Sequence, residues 1–337
     1  MGAGNWGRNL IRNFYELEAL AGVAEVNPEL RSKVAAHYPE IPLYDKFEQV
    51  LNTDVSAVVI ATPAPSHFQM ADAALKAGKH VFVEKPMTLR TNEARQLAEY
   101  ADEQSLILMV GHLLLYQPAI SWMRDYLATG KAGQVLHVAA RRANLGRVRR
   151  EENVWWSFAP HDVSVVLDLL GNPQLIGVDA SGHAMLQPGI EDDVHVHLQF
   201  ARGQTAHIHC SWYWPLLERN TVVIAEKQML VYDEVAQQVT IYYKGVDGEL
   251  NNRDEGSETV SVAATEPLRI ECQHFQGLHC HGSTSAIGWM EWGSGGGDFG
   301  KSNGGFPRLT FLFTSPLMWM KEQRLGRARK FGTFPMS

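Results

Sequence analysis

Short apolar runs and segments with helical spacing alternate along the first third of the chain. Helical spacing begins directly after Gly7, and the apolar positions of its predicted face are Leu10, Ile11, Phe14 and Leu17. Continuous apolar runs, typical of parallel strands buried on both faces, occur in "LAGVAE", "VSAVVI", "KHVFVE" and "SLILMVG". Strands that alternate with helices predict an α/β domain with a doubly wound parallel sheet, which we place at residues 1–118.

The pattern changes in the following residues, where apolar and polar positions alternate with a period of two. This alternation predicts antiparallel strands over "QVLHVAARRA", "VHVHLQFA", "QTAHIHCSW", "TVVIAE" and "QMLVYD". The segment around His161 has a helical pattern and is expected to pack on one face of this sheet. We therefore predict an α+β domain with a mainly antiparallel open sheet at residues 119–275, followed by an atypical tail at 276–337.

The opening sequence "MGAGNWGRNL" contains a Gly-x-Gly-x-x-Gly turn, which in a Rossmann fold connects the first strand to the first helix. In such a turn Gly2 permits the sharp bend, Gly4 lets a pyrophosphate approach the backbone, and Gly7 lets the helix pack closely on the sheet. Only Met1 precedes the turn, so the expected first strand is missing. Our hypothesis is a truncated or mis-assigned start, with an apolar strand encoded upstream.

Glu25 lies about 20 residues beyond the glycines, where a carboxylate accepts hydrogen bonds from an adenosine ribose and repels a 2′-phosphate. The expected cofactor is therefore NAD rather than NADP. Further cofactor contacts are expected in the glycine turn and at the carboxyl ends of the buried strands, where ligands of such sheets bind. These candidates are Asn5, Trp6, Thr62, Pro63, His67, Glu84 and Lys85.

Composition excludes several classes of protein. The 337 residues are 45% hydrophobic and carry a formal net charge of −7 with interleaved signs, so no basic stripe for nucleic acid is present. No apolar run approaches the roughly 18 to 20 residues of a membrane helix, and no signal peptide is apparent. The three cysteines, Cys210, Cys272 and Cys280, fit neither a zinc ribbon nor a disulfide framework, which favours the cytoplasm.

Five segments together resemble the Gfo/Idh/MocA family of nicotinamide-dependent sugar and polyol dehydrogenases. They are "GAGNWG", "ATPAPSHF", "VEKP", "GHLLLYQP" and "WSFAPHDVSVVLDLLG", in the family's order and spacing. More narrowly, "NLGRVRREENVWWSFAPHD" and "DVHVHLQFARGQTAHIHCSW" resemble the branch that oxidises C3 of UDP-N-acetylhexosamines or their uronic acids for surface polysaccharide. The alternatives are another sugar or polyol dehydrogenase, a 3-ketoreductase of the family, and an inactive truncated fragment.

Oxidation of a secondary alcohol needs a hydride acceptor over the carbinol carbon and a base on its hydroxyl. The resemblance assigns the proton to Lys85, in the "VEKP" turn beside the nicotinamide, and to His161, which aligns with the histidine of the family's Asp-x-x-x-His helix. Ser157 stands where the family has the aspartate. Asp162 is a candidate substitute, although its side chain is rotated by about 100° from that of His161.

Substrate contacts are expected from His161 and from the cleft between the domains, which His112 and Tyr116 are expected to line. Arg147 and Arg149 belong to a cationic cluster that suits bidentate contact with a diphosphate and equally suits a solvated surface. Asn144 fits a contact with sugar hydroxyls or a simple turn of the chain.

Four histidines occupy alternate positions of two predicted strands: His195, His197, His207 and His209. This spacing places all four imidazoles on one face, where three or four of them could ligate zinc. A solvent-facing side of a sheet gives the same pattern without a metal, and the intervening positions are apolar. We therefore predict no metal site, and the exposed sheet face favours a homo-oligomer.

The tail departs from the family. A helical segment is expected after "EPLRIECQHF", but "QGLHCHGSTSAIGWMEWGSGGGDFGKSNGG" has no periodicity. If part of this segment is back-translated with permitted codons and read one base later, it can yield a helix like the one that the family has there. The final residues can yield the start of a hexapeptide-repeat acyltransferase. Our hypothesis is therefore two frameshifts and poor order over about residues 276–337, with an acetyltransferase of the same pathway as a candidate partner.

Overall fold

The computed structural model describes residues 1–150, 152–262 and 265–280. These residues form two compact units: one contains residues 1–116 and the segment that begins at Thr265, and the other begins at Gln117. Among the described residues, no helix is long and apolar enough to cross a membrane. The hypotheses of frameshifts and of poor order concern a tail that, from residue 281 onward, lies outside the described residues.

The first unit alternates strands and helices, as the apolar runs predict. Its elements are α1 (Gly7–Glu16), β1 (Val23–Ala24), α2 (Pro28–His37), β2 (Leu43–Tyr44), α3 (Phe47–Leu51), β3 (Ala57–Ile60), α4 (His67–Lys76), β4 (His80–Glu84), α5 (Thr91–Glu103) and β5 (Leu108–Gly111). Strands β1 and β2 form a parallel pair, and β3, β4 and β5 form a parallel sheet in that order. Val81, Phe82 and Val83 of the middle strand β4 are fully buried. This burial agrees with the apolar run that predicts a strand covered on both faces.

Residues 1 and 2 lie between these two sheets. The amino group of Met1 donates to the Val59 carbonyl at 2.7 Å, and the Met1 carbonyl accepts from the Ala61 amide at 2.8 Å. On the other side, the amide of Gly2 donates to the carbonyl of Ala24 at 3.0 Å. The glycine turn therefore starts at the carboxyl ends of β1 and β3.

The second unit consists of helices and one long sheet. Its elements are α6 (Pro118–Ala128), β6 (Val135–Leu145), α7 (Val154–Leu169), β7 (Leu175–His183), β8 (Asp193–Phe200), β9 (Thr205–Ser211), β10 (Tyr213–Ala225), β11 (Met229–Asp233), β12 (Gln238–Val246) and β13 (Asn252–Val260). Eight strands pair in the order β13-β12-β11-β10-β6-β9-β8-β7, and all pairs are antiparallel except the parallel pair of β6 and β9. The predicted α/β and α+β architecture is confirmed.

Helix α7 packs on one face of this sheet, against β6, β8 and β9. Val194, Val196 and Leu198 of β8 point to that face and are buried, as their period-two spacing predicts. The intervening histidines of β8 lie on the opposite face. The register pairs His195 with His209 and His197 with His207, so the prediction that the four imidazoles share a face is confirmed.

The last described helix, α8 (Pro267–Cys280), belongs to the first unit. Leu268, Cys272 and Phe275 are buried in a cluster that includes Leu10 and Phe14 of α1. The sequence pattern placed residues up to 275 in the second domain, whereas this helix completes the core of the first. An apolar helical face predicts burial, but it does not specify which sheet the helix covers.

Candidate active site

The glycine turn leaves space against its backbone. A Cβ atom at Gly7 would lie 2.0 Å from the carbonyl oxygen of Gly2, so α1 packs on the turn at a distance that only glycine allows. A Cβ atom at Gly4 would meet no described atom within 4 Å. Within the described part of the chain, no side chain caps the N-terminus of α1. This open cradle in front of a helix N-terminus fits a dinucleotide pyrophosphate.

Glu25 is held beside the turn by two backbone amides. Its Oε2 atom accepts a hydrogen bond from Ala3 at 2.6 Å, and its Oε1 atom accepts one from Asn27 at 2.8 Å. A carboxylate has about four acceptor positions, so each oxygen can still accept from a ribose hydroxyl. The guanidinium of Arg31 donates to the backbone carbonyl of Glu25 at 2.6 Å and fixes the start of α2 beside it.

Glu84 and Lys85 lie at the end of β4, as predicted. Burial raises the pKa of Glu84 to about 7, against the opposing effects of a hydrogen bond from the Trp6 indole and of the Lys85 amide and charge. A Cβ atom at Gly111 would lie 2.9 Å from Oε1 of Glu84, so the neighbouring strand β5 ends in a glycine that makes room for this carboxyl group. Glu84 therefore changes charge near neutral pH at the edge where a cofactor of this fold binds.

His67 connects the two loops at this edge. Its Nδ1 atom lies 2.8 Å from the Pro86 carbonyl oxygen, and its Nε2 atom lies 2.7 Å from the Thr62 carbonyl oxygen. Both partners are backbone carbonyl oxygens, one in each loop. The ring is buried, so His67 positions the Thr62-Pro63 loop and the Lys85-Pro86 turn through their backbones. These contacts favour a positioning role, and the expectation that His67 contacts the cofactor stays a prediction.

His112 and Tyr116 follow β5. Burial, with a smaller effect of the Lys85 charge, lowers the pKa of His112 to about 4, so its imidazole is neutral at pH 7. The hydroxyl of Tyr116 forms a hydrogen bond of 2.7 Å with Nδ1 of His274 on α8. Sequence analysis missed His274 because it assigned that segment to the second domain.

Glu271 on α8 is a second titratable group that sequence analysis missed. The residue is fully buried, and neither carboxyl oxygen has a hydrogen-bond partner among the described residues. Burial, together with the charge of Glu84, raises the pKa of Glu271 well above its ordinary value. The protonated form is therefore favoured in the folded protein. A single Glu in an amphipathic helix gives no local signal that it is buried.

Asp162 of α7 is bound to the sheet. Its carboxylate accepts two hydrogen bonds from the guanidinium of Arg142 on β6, at 2.9 and 3.1 Å, and is 3% exposed. Arg142 also donates to Glu234 at 2.8 Å. Both carboxylate oxygens thus fasten α7 to β6, which favours a structural role, and the interpretation of Asp162 as a substitute catalytic group stays a prediction. His161, the neighbouring residue, is only partly buried.

A different carboxylate lies beside the position of the family's aspartate. The hydroxyl of Ser157 donates to Glu152 at 2.8 Å, and the guanidinium of Arg149 lies 3.7 Å from the same carboxylate. Ser157 precedes His161 by about one helical turn. Sequence analysis missed Glu152 because it lies outside the helical motif and is brought to it by the loop before α7.

The candidate substrate-binding side chains of the second unit differ in their exposure and in their hydrogen-bond partners. Oδ1 of Asn144, at the end of β6, is buried and has no hydrogen-bond partner among the described residues. Arg147 and Arg149 are exposed. Asn153, which precedes α7, caps this helix by accepting from the Trp156 amide at 3.2 Å. Asn144 is thus the better placed of the two asparagines to bind a ligand.

Family models match both units. Residues 1–112 match the model described as "Oxidoreductase family, NAD-binding Rossmann fold", and residues 120–231 match the "GFO/IDH/MocA C-terminal domain". The chain belongs to the Gfo/Idh/MocA family. It is therefore an NAD-binding oxidoreductase of a family that acts on CH–OH groups, and the predicted cofactor, NAD, is confirmed.

Relatives with assigned activities include sugar and polyol dehydrogenases. The UDP-N-acetylglucosamine 3-dehydrogenase of Acidithiobacillus ferrooxidans is 28% identical over 82% of this chain and 86% of its own length. Its solved structure has a TM-score of 0.73 over 83% of this chain and 87% of that chain. A solved oxidoreductase from Magnetospirillum magnetotacticum is 31% identical, with a TM-score of 0.71 over 83% of this chain and 90% of its own. The scyllo-inositol 2-dehydrogenase (NAD(+)) of Bacillus subtilis is 24% identical over 50% of this chain and 52% of its length.

Proposed function

We propose that the chain oxidises the C3 hydroxyl of a UDP-N-acetylhexosamine, or of its uronic acid, to a ketone in surface polysaccharide biosynthesis. The observation that carries this proposal is the similarity to UDP-N-acetylglucosamine 3-dehydrogenase, which spans both units. The same proposal includes a cytoplasmic location, a homo-oligomer, and an acetyltransferase of the same pathway as a partner.

When bound, NAD supplies the hydride acceptor. The glycine turn binds the pyrophosphate through the backbone around Gly4, and Glu25 orients the adenosine ribose. Asn5, Trp6, Thr62 and Pro63 complete the cofactor contacts from the same edge. Ionised Glu84 provides a negative charge at this edge and favours a cationic nicotinamide ring.

We assign the removal of the sugar hydroxyl proton to Lys85 and His161. A neutral imidazole or amine accepts the proton as the hydride leaves, and acid–base catalysis of this kind contributes about 10²–10⁴-fold to a rate. Glu152, beside Ser157, is the group that we assign to orient His161 in place of the family's aspartate. Neutral His112 keeps positive charge low near Lys85, since an additional imidazolium would disfavour binding of cationic cofactor.

The UDP-sugar is assigned to side chains of the second unit and to Tyr116 of the first unit. The unpartnered Oδ1 of Asn144 accepts from a sugar hydroxyl or an acetamido N–H. Arg147 and Arg149 bind the diphosphate in the bidentate geometry that guanidinium groups favour. Tyr116 contributes its ring, because its hydroxyl is already bonded to His274.

The test is a titration of purified protein with NAD and UDP-N-acetylglucosamine, followed by the absorbance of reduced cofactor and by identification of a 3-keto sugar. Lys85→Met and His161→Asn should each lower kcat at least about 100-fold while NAD still binds. Lys76→Met and His37→Asn are matched controls, because both side chains are exposed and lie elsewhere on the first unit. Turnover of UDP-sugar by Lys85→Met at the wild-type rate would contradict the assignment.

A second candidate function is supported by the match to scyllo-inositol 2-dehydrogenase. If the chain is a polyol dehydrogenase, free polyols are oxidised and UDP-sugars are not. If it works as a 3-ketoreductase, the rate is appreciable only from the keto sugar and reduced cofactor. A protein that binds neither NAD nor UDP-sugar is an inactive fragment.

A further inference from the structure

The face of the second unit's sheet opposite α7 carries a cluster of polar side chains that the proposed function does not use. The strand register sets these side chains in rows across β8 and β9. One row pairs His195 with His209, and the next pairs His197 with His207. Asp193 precedes His195 on the same strand and points to the same side, because side chains alternate along a strand.

Three of these groups converge. Nε2 of His209 lies 2.9 Å from one carboxylate oxygen of Asp193, and Nε2 of His195 lies 3.3 Å from the other. The rings of His195 and His209 stack with centroids 3.9 Å apart and an interplanar angle of 8°. One ligand atom from each of the three residues lies within 4.8 Å of the others.

We propose that Asp193, His195 and His209 form a binding site for one divalent ion of the zinc class. Zinc bonds of about 2.0 Å in a tetrahedron set neighbouring ligand atoms about 3.3 Å apart, close to the two carboxylate–imidazole distances above. Two imidazoles with one carboxylate suit Zn²⁺ and its late transition-metal neighbours rather than Mg²⁺ or Ca²⁺, which take oxygen ligands. Water, or a side chain of a second copy of this chain where the sheet face is covered in the proposed homo-oligomer, completes the coordination.

The two histidine side chains differ in how far they are exposed. His209 is 7% exposed, and its buried Nδ1 atom has no hydrogen-bond partner among the described residues. Its orientation is therefore fixed mainly by Asp193 and by the rings around it. The side chain of His195 is 55% exposed, so it can turn towards an ion held by the other two ligands.

The positive charge of Arg141 near the site is partly neutralised. Arg141 lies on the same face, but it is paired with Glu218 at 3.3 Å, and its guanidinium lies over the ring of Trp214 at 5.6 Å. The ring of Trp214 meets the ring of His209 edge to face, with centroids 5.5 Å apart. Trp214 is therefore a fluorescent reporter in direct contact with the proposed site.

The second histidine row provides a matched comparison. His197 and His207 have ring centroids 4.5 Å apart, and His137 lies 4.8 Å from His207. Among the residues that the structure describes, only the trio with Asp193 brings a carboxylate and two imidazoles within ligand distance of one point. The inference thus predicts that one row binds the ion and the other does not.

The experiment compares the wild type, His195→Asn/His209→Asn and His197→Asn/His207→Asn. Zn²⁺ is titrated by calorimetry, and Co²⁺ binding is followed by visible absorption and by quenching of tryptophan fluorescence. The wild type and His197→Asn/His207→Asn should bind one more equivalent of metal than His195→Asn/His209→Asn. This additional equivalent should bind at least tenfold more tightly than any metal that His195→Asn/His209→Asn still binds. Asp193→Asn should weaken this binding at least tenfold, and Trp214→Phe should remove the quenching but keep the stoichiometry.

Equal stoichiometry and affinity in the two double variants would overturn the proposal, and so would loss of binding in the His197→Asn/His207→Asn protein alone. Circular dichroism and the melting temperature of each apo protein establish that the variants are folded. Zn²⁺ should also raise the melting temperature of the wild type, of His197→Asn/His207→Asn and of Trp214→Phe, but not that of His195→Asn/His209→Asn, because an ion that binds the folded state stabilises it. NAD affinity should be the same in all five proteins without metal.

Discussion

The indole N–H of Trp6 donates a hydrogen bond to the carboxyl group of Glu84, and this contact joins the glycine turn to the end of β4. The hydrogen bond favours the ionised carboxylate, whereas burial disfavours it and raises the pKa of Glu84 to about 7. The cofactor turn and the charge at the Lys85 edge are therefore coupled through one hydrogen bond.

Trp6→Phe removes this hydrogen bond, so the pKa of Glu84 should rise further. If ionised Glu84 favours bound NAD⁺, affinity for NAD⁺ increases as pH rises through this pKa. The midpoint of that increase should move upward by about one pH unit in Trp6→Phe, since a hydrogen bond to a charged group is worth about 1.5–3 kcal/mol. NAD⁺ dissociation constants measured against pH give the two midpoints.

Tyr15→Phe is the matched control, because it also removes an aromatic donor to a glutamate, Glu40, from the helix that follows the turn. Its pH profile for NAD⁺ should coincide with that of the wild type. A Trp6→Phe profile that coincides with the wild type as well would show that Glu84 does not govern cofactor affinity.

Alanine substitutions at Gly4 and Gly7 should separate binding from folding. Gly4→Ala places a Cβ in open space, so the melting temperature should change little while the NAD dissociation constant rises about tenfold or more. Gly7→Ala places a Cβ 2.0 Å from a backbone oxygen and should cost about 1–3 kcal/mol of folding free energy. Thermal melts and NAD titrations of both variants check this, and wild-type affinity in Gly4→Ala would contradict the assigned cradle.

Glu271→Gln should stabilise the protein most at high pH. The raised pKa of Glu271 means that the folded state keeps a proton that the unfolded state releases above about pH 4.3, so wild-type stability falls as pH rises beyond that value. Glutamine removes this dependence. The gain in unfolding free energy should be near zero in acid and should grow through neutral pH, as measured by urea unfolding at several pH values.

Glu266→Gln should have the opposite effect on the pH dependence of stability. Glu266 lies directly before α8. A hydrogen bond from Arg12, with that residue's charge, lowers the pKa of Glu266 in the folded state. Its stabilising contribution is present above the unfolded pKa and is lost as pH falls through the folded pKa. Glu266→Gln should therefore be slightly destabilising at neutral pH and neutral in acid. Parallel pH trends for the two variants would refute the assigned burial of Glu271.

Asp162→Asn should affect stability rather than chemistry. It weakens a buried, bidentate pair with Arg142, and loss of one partner of such a pair costs about 3–5 kcal/mol. The kcat of the folded fraction should remain within about threefold of the wild type. Asp168→Asn, on the same helix, should also leave kcat within about threefold but should cost less stability, because Asp168 meets Arg124 through one contact of 3.5 Å. A 100-fold loss of kcat at unchanged stability would return Asp162 to the catalytic site.

The sequence predicted those features that depend on neighbours in the chain. The glycine turn, the position of Glu25 and the polar end of β4 follow from local spacing, and the histidine rows follow from strand period. The pairing of Asp162 with Arg142 could not be predicted from local spacing, because Arg142 lies on β6, 20 residues earlier in the chain. The catalytic pairing of Lys85 with His161 stays a prediction.

The position of β6 has a consequence for how the second unit folds. Strands β7, β8 and β9 form successive hairpins, as do β10 to β13, so each group needs only contacts that are close in sequence. Strands β9 and β10 are separated by Trp212 alone, yet they do not pair, because β6 lies between them. Of the eight strands in this sheet, β6 is synthesised first. Its two neighbours, β9 and β10, are available only after the chain has extended past residue 213. We expect the insertion of this strand to limit the folding rate, because contacts between distant residues are slow to form.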